Sequence, residues 1–204
     1  SYVRALKEAG FPPVALELES QAIARAALGA VSGSEGVIIV DMGRNRTSIA
    51  VSAAGSVLYT VTVPVGGRAL EQEIAAALGV GAEETMSIKK EQGLARDAHE
   101  GKLYAALLPL ADTLAAELVR TIAYYEDHIA HIHGGSRGIA RVLLSGGDAN
   151  LPGLDTYLAS RIRVPVSLID PFHGMENATP YPIPEIPKNE SLAFAAAIGL
   201  ARCS

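Results

Sequence analysis

The sequence is poor in the features that mark secreted and membrane-spanning proteins. Its 204 residues include one cysteine, Cys203, and no tryptophan. A single cysteine excludes an internal disulfide bond, so a disulfide-stapled fold is not indicated and a reducing compartment fits the chain. No apolar run approaches the roughly 18 residues that a membrane-spanning helix requires. The first residues also lack the basic and apolar regions of a signal peptide.

Charge and aromatic side chains are sparse as well. The net charge is −5, and no long block of one sign occurs. The sequence therefore predicts neither a nucleic-acid-binding face nor a patch that attaches to acidic membranes. Aromatic residues make up only 5% of the chain, so the core is expected to consist mainly of Ala, Val, Leu and Ile. Ser1 lies within a helical pattern, and we expect the sequence to be part of a longer protein.

The hydrophobic pattern mixes strands with helices, which predicts a layered α/β fold. Apolar runs and alternating segments predict strands over 14–19, 37–40, 47–52, 56–63, 139–144 and 164–169. A repeat of three to four residues predicts helices over 2–9, 21–28, 68–78, 82–90, 102–133, 154–162 and 190–202. The three strands between 37 and 63 are joined by tight turns and predict a β-meander.

A carboxylate stands at the end of the buried strand 37–40 and opens the segment Asp41-Met42-Gly43-Arg44-Asn45-Arg46-Thr47-Ser48. Gly43 permits a tight turn whose backbone N–H groups can hold phosphate, and Asp41 can hold Mg²⁺ through water. An ordinary hairpin turn has the same pattern, with Asp and Gly serving turn geometry alone. Taken alone, the segment leaves both interpretations open.

Two further segments follow predicted strands and could carry chemistry. Gly146 and Gly147 follow Ser145 at the end of the strand 139–144 and precede a helix, so the backbone can approach a ligand closely near a helix N-terminus. A plain strand-to-helix turn explains them equally well. Glu19 follows the predicted strand 14–19 and could orient an attacking water, or it could be a solvated carboxylate near a helix start.

The order of these parts resembles the superfamily of actin, sugar kinases and Hsp70. Within that superfamily the chain is most similar to the PilM family of type IV pilus assembly proteins, and it shares its loops with the related FtsA. The resemblance covers nearly the whole chain. It is carried by the segments 19–26, 63–70, 144–154 and 170–172.

The resemblance implies an actin-like, RNase H-like ATPase domain with a helical insertion subdomain. Residues 1–33 would be a remnant of the first actin-like domain with its connecting helix. Residues 36–68 and 139–182 would form the sheet of the second domain, 69–138 the helical insertion and 183–204 the closing helix. The family's first phosphate loop is missing from this sequence, so either it precedes Ser1 in a longer protein or half of the active site has been lost. In both cases this chain by itself would be at most a slow ATPase.

The resemblance also assigns site residues. The phosphates of ATP would be lined by Asp41, Gly43, Arg44, Asn45 and Thr47, and the adenosine would be faced by Gly146, Gly147 and Asp148. Lys89 would contact the ribose or base, although the acid usual two residues before it is Ser87 here. Asp41 would hold Mg²⁺, and Glu19 and Asp41 would take the catalytic positions.

The function implied is that of an ATP-binding scaffold of the type IV pilus or type II secretion machinery. Such a scaffold would be cytoplasmic, would bind the cytoplasmic tail of a PilN-like inner-membrane protein, and would reach the membrane only through partners. Formation of a homo-oligomer is compatible with it. Two alternatives stay open: a catalytic phosphotransferase of the same fold, and an FtsA-like filament protein of cell division. The scarcity of polar residues that could bind an acceptor in 68–138 favours the scaffold.

Overall fold

The computed structural model of the protein describes residues 2–28, 35–130, 138–173, 175 and 186–202. These residues form a five-stranded sheet of order β3-β2-β1-β4-β5. The strands are β1 (Gly36–Met42), β2 (Thr47–Ala53), β3 (Ser56–Val63), β4 (Ile139–Ser145) and β5 (Val166–Leu168). The predicted α/β fold and the predicted meander are both confirmed.

The register of the sheet brings together segments that are distant in sequence. β1 pairs antiparallel with β2, and β2 with β3, through tight hairpins. β1 also pairs in parallel with β4, so that Asp41 lies beside Ser145. The carboxyl ends of β1 and β4 therefore meet at one edge of the sheet, which is where open α/β sheets place ligands.

Eight α-helices accompany the described strands. They are α1 (Tyr2–Glu8), α2 (Glu19–Leu28), α3 (Gly67–Leu78), α4 (Ala82–Glu91), α5 (Lys102–Tyr124), α6 (Leu154–Ile162), α7 (Lys188–Ser191) and α8 (Ala195–Ala201). A π-helical turn, Tyr125–Ile129, continues α5, and a short 3-10 turn, Leu192–Phe194, joins α7 to α8. No helix among the described residues is both long and apolar enough to cross a membrane.

The helices lie on both faces of the sheet. Ile23 of α2 shares a cavity with Ile39, Ala50 and Thr60 on one face, while Thr121 of α5 lines a groove with Tyr59 and Val61 on the other. A continuous core joins strands β1, β2 and β4 to the buried side of α3, α4, α5 and α6. The helices of the predicted insertion, 69–138, contribute to this core, and the subdomain boundaries themselves stay predictions.

The helices α2 and α8 cross each other in direct contact. A Cβ atom added to Gly199 would lie 1.8 Å from the carbonyl oxygen of Ala22, so the two backbones are in direct contact. Arg25 of α2 donates to the Gly199 carbonyl at 2.8 Å and forms a two-pronged ion pair with Glu17. Only glycine permits this separation between helix axes.

Several predicted boundaries are wrong. Residues 14–19 form no strand, because Val14, Leu16 and Leu18 are exposed and the segment has no apolar face that packs against the sheet. The helix α2 begins at Glu19 instead of Gln21. The last helix, predicted over 190–202, starts at Lys188 and is broken by the 3-10 turn. The longest helix ends as an α-helix at Tyr124, and residues 131–133 of its predicted span lie outside the described residues. β5 is shorter than predicted.

Candidate functional site

Hydrogen bonds to the carbonyls of Arg46 and Val65 hold the turn between β1 and β2 in place. The N–H of Gly43 donates to the Arg46 carbonyl at 3.0 Å, which closes the turn. Thr47 is fully buried, and its hydroxyl donates to the Val65 carbonyl at 2.6 Å. Arg44 and Asn45 are exposed at the tip. The hydroxyl of Thr47 thus braces the turn, and its predicted contact with phosphate stays a prediction.

The start of α3 packs directly on this turn. The N–H of Gly67 donates to the Gly43 carbonyl at 3.1 Å, and the N–H of Arg68 donates to the Arg44 carbonyl at 2.8 Å. A Cβ atom on Gly66 would lie 2.5 Å from the Gly43 carbonyl oxygen. Gly66 and Gly67 were not among the predicted site residues, although a double glycine between a strand and a helix is a signal of close backbone approach.

The loop after β4 meets the same turn from the other side. Gly146 has a φ of +91°, and a Cβ atom there would lie 2.4 Å from the Met42 carbonyl oxygen. The N–H of Asp148 donates to that carbonyl at 3.2 Å. Gly147 is exposed beside it. The two predicted ligand loops therefore form one continuous surface of backbone at the carboxyl edge of the sheet.

Lys89 lies at the centre of an ion cluster beside these loops. Its Nζ is 2.7 Å from Oδ1 of Asp148 and 2.6 Å from Oε1 of Glu71. Each of the three side chains is only 12–16% exposed. Burial lowers the pKa of Lys89, but the hydrogen bonds and charges of Asp148 and Glu71 outweigh it and hold the pKa above its usual value. Lys89 is therefore charged and fixed in place.

Glu71 on α3 is the residue of this cluster that the sequence analysis missed. Besides Lys89 it contacts Arg44, whose Nη2 is 3.3 Å from the Glu71 carboxylate. Burial raises the pKa of Glu71, but hydrogen bonds and charges from Lys89 and Arg44 outweigh it and bring the pKa below its usual value. Glu71 thus connects the turn after β1 to the loop after β4 through Lys89. No local pattern marks it, because it meets Lys89 only through the packing of α3 against α4.

Asp41 and Glu19 line one cavity of about 170 Å³ on the α2 face of the sheet. Burial raises the pKa of Asp41, and the Glu19 carboxylate adds to the rise, while the Ser145 hydroxyl partly offsets it. The Ser145 Oγ atom is itself buried and has no hydrogen-bond partner of ordinary geometry among the described residues. Two carboxylates therefore share one small cavity, and the buried Ser145 hydroxyl lies beside Asp41 on the neighbouring strand.

The structure brings together most of the predicted site residues. The turn with Asp41, Gly43, Arg44 and Asn45 contacts the loop with Gly146, Gly147 and Asp148, and Lys89 touches that loop. Glu19 joins from the α2 side through the cavity it shares with Asp41. The proximity of these residues is a geometric result, and the role of each one stays a prediction.

Comparison with known proteins relates this arrangement to a family. The family model described as "Type IV pilus assembly protein PilM" matches residues 1–203. Cell division protein FtsA of Bacillus subtilis (strain 168) is 31% identical over 91 residues, which are 45% of this chain and 21% of FtsA.

Solved structures share the fold. A PilM–PilN type IV pilus biogenesis complex superposes with a TM-score of 0.73 at 21% identity, covering 98% of this chain and 55% of the matched chain. MreB5 of Spiroplasma citri bound to AMPPNP superposes with a TM-score of 0.68 at 15% identity, covering 97% and 62%. These likenesses confirm the actin-like fold, and the chain spans little more than half the length of the structures it matches. Because the family model matches residues 1–203 of the 204, the chain belongs to the family of type IV pilus assembly protein PilM.

Proposed function

We propose that this chain is the nucleotide-gripping part of an actin-like scaffold protein that helps to assemble type IV pili or a type II secretion system. The observation that carries the proposal is the convergence of the turn after β1, the Gly66-Gly67 start of α3 and the Gly146-Gly147 loop. A Cβ atom on Gly66 or Gly146 would lie 2.4–2.5 Å from a carbonyl oxygen of the turn, so only glycine permits these two backbone approaches. The start of a helix and a glycine-rich loop at the carboxyl edge of a sheet are places where α/β folds bind phosphate and ribose groups.

The residues present fit ATP with Mg²⁺. Magnesium keeps several waters and is held in proteins by one or two carboxylates together with the phosphates of the substrate. Asp41 offers one such carboxylate, and the unsatisfied Ser145 hydroxyl beside it could accept a hydrogen bond from a metal-bound water. No group of three or more metal-ligating side chains occurs among the described residues, so the nucleotide itself would complete the coordination. When bound, Mg²⁺ would offset the negative charge of the phosphates.

The chain's own residues would divide the work of binding. Asp41 would orient the metal-bound waters, while Gly43, Arg44 and Asn45 would face the phosphates from the exposed tip of the turn. Lys89 and Asp148 would hold the ribose and base, since their ion pair lies beside Gly147. Glu19 would orient water at the phosphate end, through the cavity that it shares with Asp41.

The partner we propose is the cytoplasmic tail of a PilN-like inner-membrane protein. Support comes from the family of the chain and from its likeness to PilM in a PilM–PilN complex. The protein would then work in the cytoplasm, at the inner membrane, and bind the membrane only through that partner. Nucleotide would serve as a structural or switching ligand, and hydrolysis would be slow.

A second candidate is an FtsA-like filament protein, which the 31% identity to a segment of FtsA favours. The two proposals differ in polymerisation. Nucleotide-dependent filaments visible by electron microscopy would support the FtsA-like function, and their absence at saturating ATP would support the scaffold.

The nucleotide proposal can be tested by titrating MgATP into the chain in a calorimeter while phosphate release is followed. We expect a dissociation constant in the micromolar range and negligible turnover. Asp41→Asn is expected to weaken MgATP binding at least tenfold and to leave the weaker binding of metal-free ATP unchanged. Asp127→Asn removes the same charge at an exposed position of the π-helical turn and is expected to bind like the unmodified chain.

Two results would contradict the proposal. The nucleotide site would be disproved by an absence of ATP binding up to millimolar concentration. The scaffold function would be disproved by rapid phosphate release that Asp41→Asn abolishes, because that result identifies a catalytic ATPase of this fold.

A further inference from the structure

The outer strand of the sheet, β3, is an uncharged edge whose pairing with β2 is regular from Tyr59 to Val63 and shifts register at Leu58. It is the terminal strand in the order β3-β2-β1-β4-β5 and pairs only with β2 among the described strands. Its eight residues, Ser56-Val57-Leu58-Tyr59-Thr60-Val61-Thr62-Val63, contain no charge and no proline. Native edge strands are usually short, or carry lysine or proline, because a long uncharged edge offers its free N–H and C=O groups to another strand.

A groove of about 440 Å³ runs beside this edge on the α5 face. It is lined by Tyr59, Val61, Glu117, Arg120, Thr121 and Tyr124. Tyr59 donates its hydroxyl to the Thr121 carbonyl at 2.8 Å and meets Tyr124 edge to face, with ring centroids 5.2 Å apart. The groove wall is thus held rigid, and about half of the Tyr124 side chain stays exposed.

This surface carries one acidic and one basic residue, so its charges are complementary to those of a second copy of the same surface. Glu117 and Arg120 lie one turn apart on α5 and form an ion pair at 3.2 Å, in which Arg120 is 70% exposed. The strand itself offers no charge that would select a charged partner. A surface that carries one acid, one base and an uncharged strand fits a second copy of itself, as twofold-symmetric interfaces require.

We propose that β3 pairs antiparallel with β3 of a second copy of this chain. The twofold axis would stand perpendicular to the sheet, so both α5 helices would lie on the same face. Arg120 of each copy would then approach Glu117 of the other, and the two Tyr59–Tyr124 pairs would enclose the apolar space beside the joined strands. Strand pairing buries less surface than the roughly 800 Å² per partner of standard interfaces, so the dimer is weak and forms at micromolar concentration.

The proposal is independent of nucleotide binding, because the turn after β1 and the loop after β4 take no part in it. A test is sedimentation velocity on the chain over a concentration series from about 5 to 500 µM, a span that brackets a micromolar dissociation constant. We expect the weight-average mass to rise from monomer to dimer. Amide exchange measured at both ends of the series should show slower exchange in β3 at high concentration.

Thr62→Lys places a charge on an exposed position of the edge and is expected to raise the dimer dissociation constant at least tenfold. Gln72→Lys adds the same charge at an exposed position of α3 and should dimerise like the unmodified chain. Equal melting temperatures would show that both variants fold. The proposal is overturned if the unmodified chain stays monomeric at 500 µM, if Thr62→Lys dimerises normally, or if amide protection at high concentration falls outside β3.

Discussion

Replacing Glu71 by glutamine tests whether the ion cluster holds the two candidate ligand loops together. The substitution keeps the shape of the side chain and removes its charge. Glu71 accepts from Lys89 at 2.6 Å and from Arg44 at 3.3–3.4 Å. Because Arg44 is 64% exposed, its contact is expected to contribute well under 1 kcal/mol. Most of the effect therefore comes from Lys89.

The magnitude follows from the burial of this pair. A hydrogen bond to a charged group contributes about 1.5–3 kcal/mol net, and a neutral one about 1 kcal/mol. Solvent reaches part of both side chains, and the uncharged amide oxygen of glutamine still accepts a hydrogen bond from the Lys89 ammonium, so that only the charge of the acceptor is lost. We therefore expect Glu71→Gln to lower the free energy of unfolding by about 1–2 kcal/mol, which for a chain of this size lowers the melting temperature by about 2–8 °C.

The pH dependence gives the sharper test. The pKa of Glu71 is lower in the folded chain than its usual value, because Lys89 and Arg44 together outweigh the effect of burial. Its stabilising contribution is therefore complete above the usual carboxyl range, near pH 4–5, and is lost as the pH falls through the lowered pKa. Thermal melts followed by circular dichroism should show a gap between the two proteins at pH 7 that closes in acid.

Glu73→Gln is the matched control, since Glu73 lies two residues away and is exposed on the same helix. It should change the melting temperature by about 1 °C or less. A gap for Glu71→Gln that persists undiminished at pH 3, or a loss no larger than that of the control, would refute the assigned role of the cluster.

Two other substitutions probe the rest of the fold and site. Asp41→Asn should stabilise the ligand-free chain by about 0.5–2 kcal/mol at pH 7, because burial and Glu19 raise the pKa of Asp41. This gain in the free energy of unfolding should shrink as the pH falls through the raised pKa. A gain that is equally large in acid would exclude a charge effect. Gly199→Ala would place a methyl group 1.8 Å from the Ala22 carbonyl oxygen and should cost about 3 kcal/mol or more in chemical denaturation. Gly81→Ala is the control, because a Cβ atom at Gly81 would meet no atom within 4 Å. A loss of stability for Gly81→Ala as large as that for Gly199→Ala would argue against steric contact at the crossing of α2 and α8.

The parts of the fold that could be predicted are those fixed by local pattern. Continuous apolar runs located β1 and β4, and the glycine after Asp41 located the turn, because strand burial and turn geometry act over a few residues. The segment 14–19 has the alternation of a strand, but Val14, Leu16 and Leu18 are exposed. A strand needs a partner, and alternation along one segment carries no information about one.

The candidate site could likewise be predicted only where it depends on local sequence pattern. Asp41, Gly43, Gly146 and Gly147 stand at strand ends, where sequence pattern and fold rules agree. Glu71 could not be found in this way, because its position against Lys89 depends on how α3 packs on α4. Resemblance supplied Lys89 itself, which no spacing rule singles out.

The parallel pairing of β1 with β4 has a consequence for the folding of the protein during its synthesis on the ribosome. The two strands are about a hundred residues apart in sequence, and such non-local pairing is slow to form. The strands β1, β2 and β3 leave the ribosome before β4. The edge of β1 that later pairs with β4, in the apolar segment Val37-Ile38-Ile39-Val40, is then still unpaired. Until β4 has been synthesised, the growing chain carries an open strand that invites aggregation. We expect nascent chains that end before Ile139 to depend on chaperones for solubility.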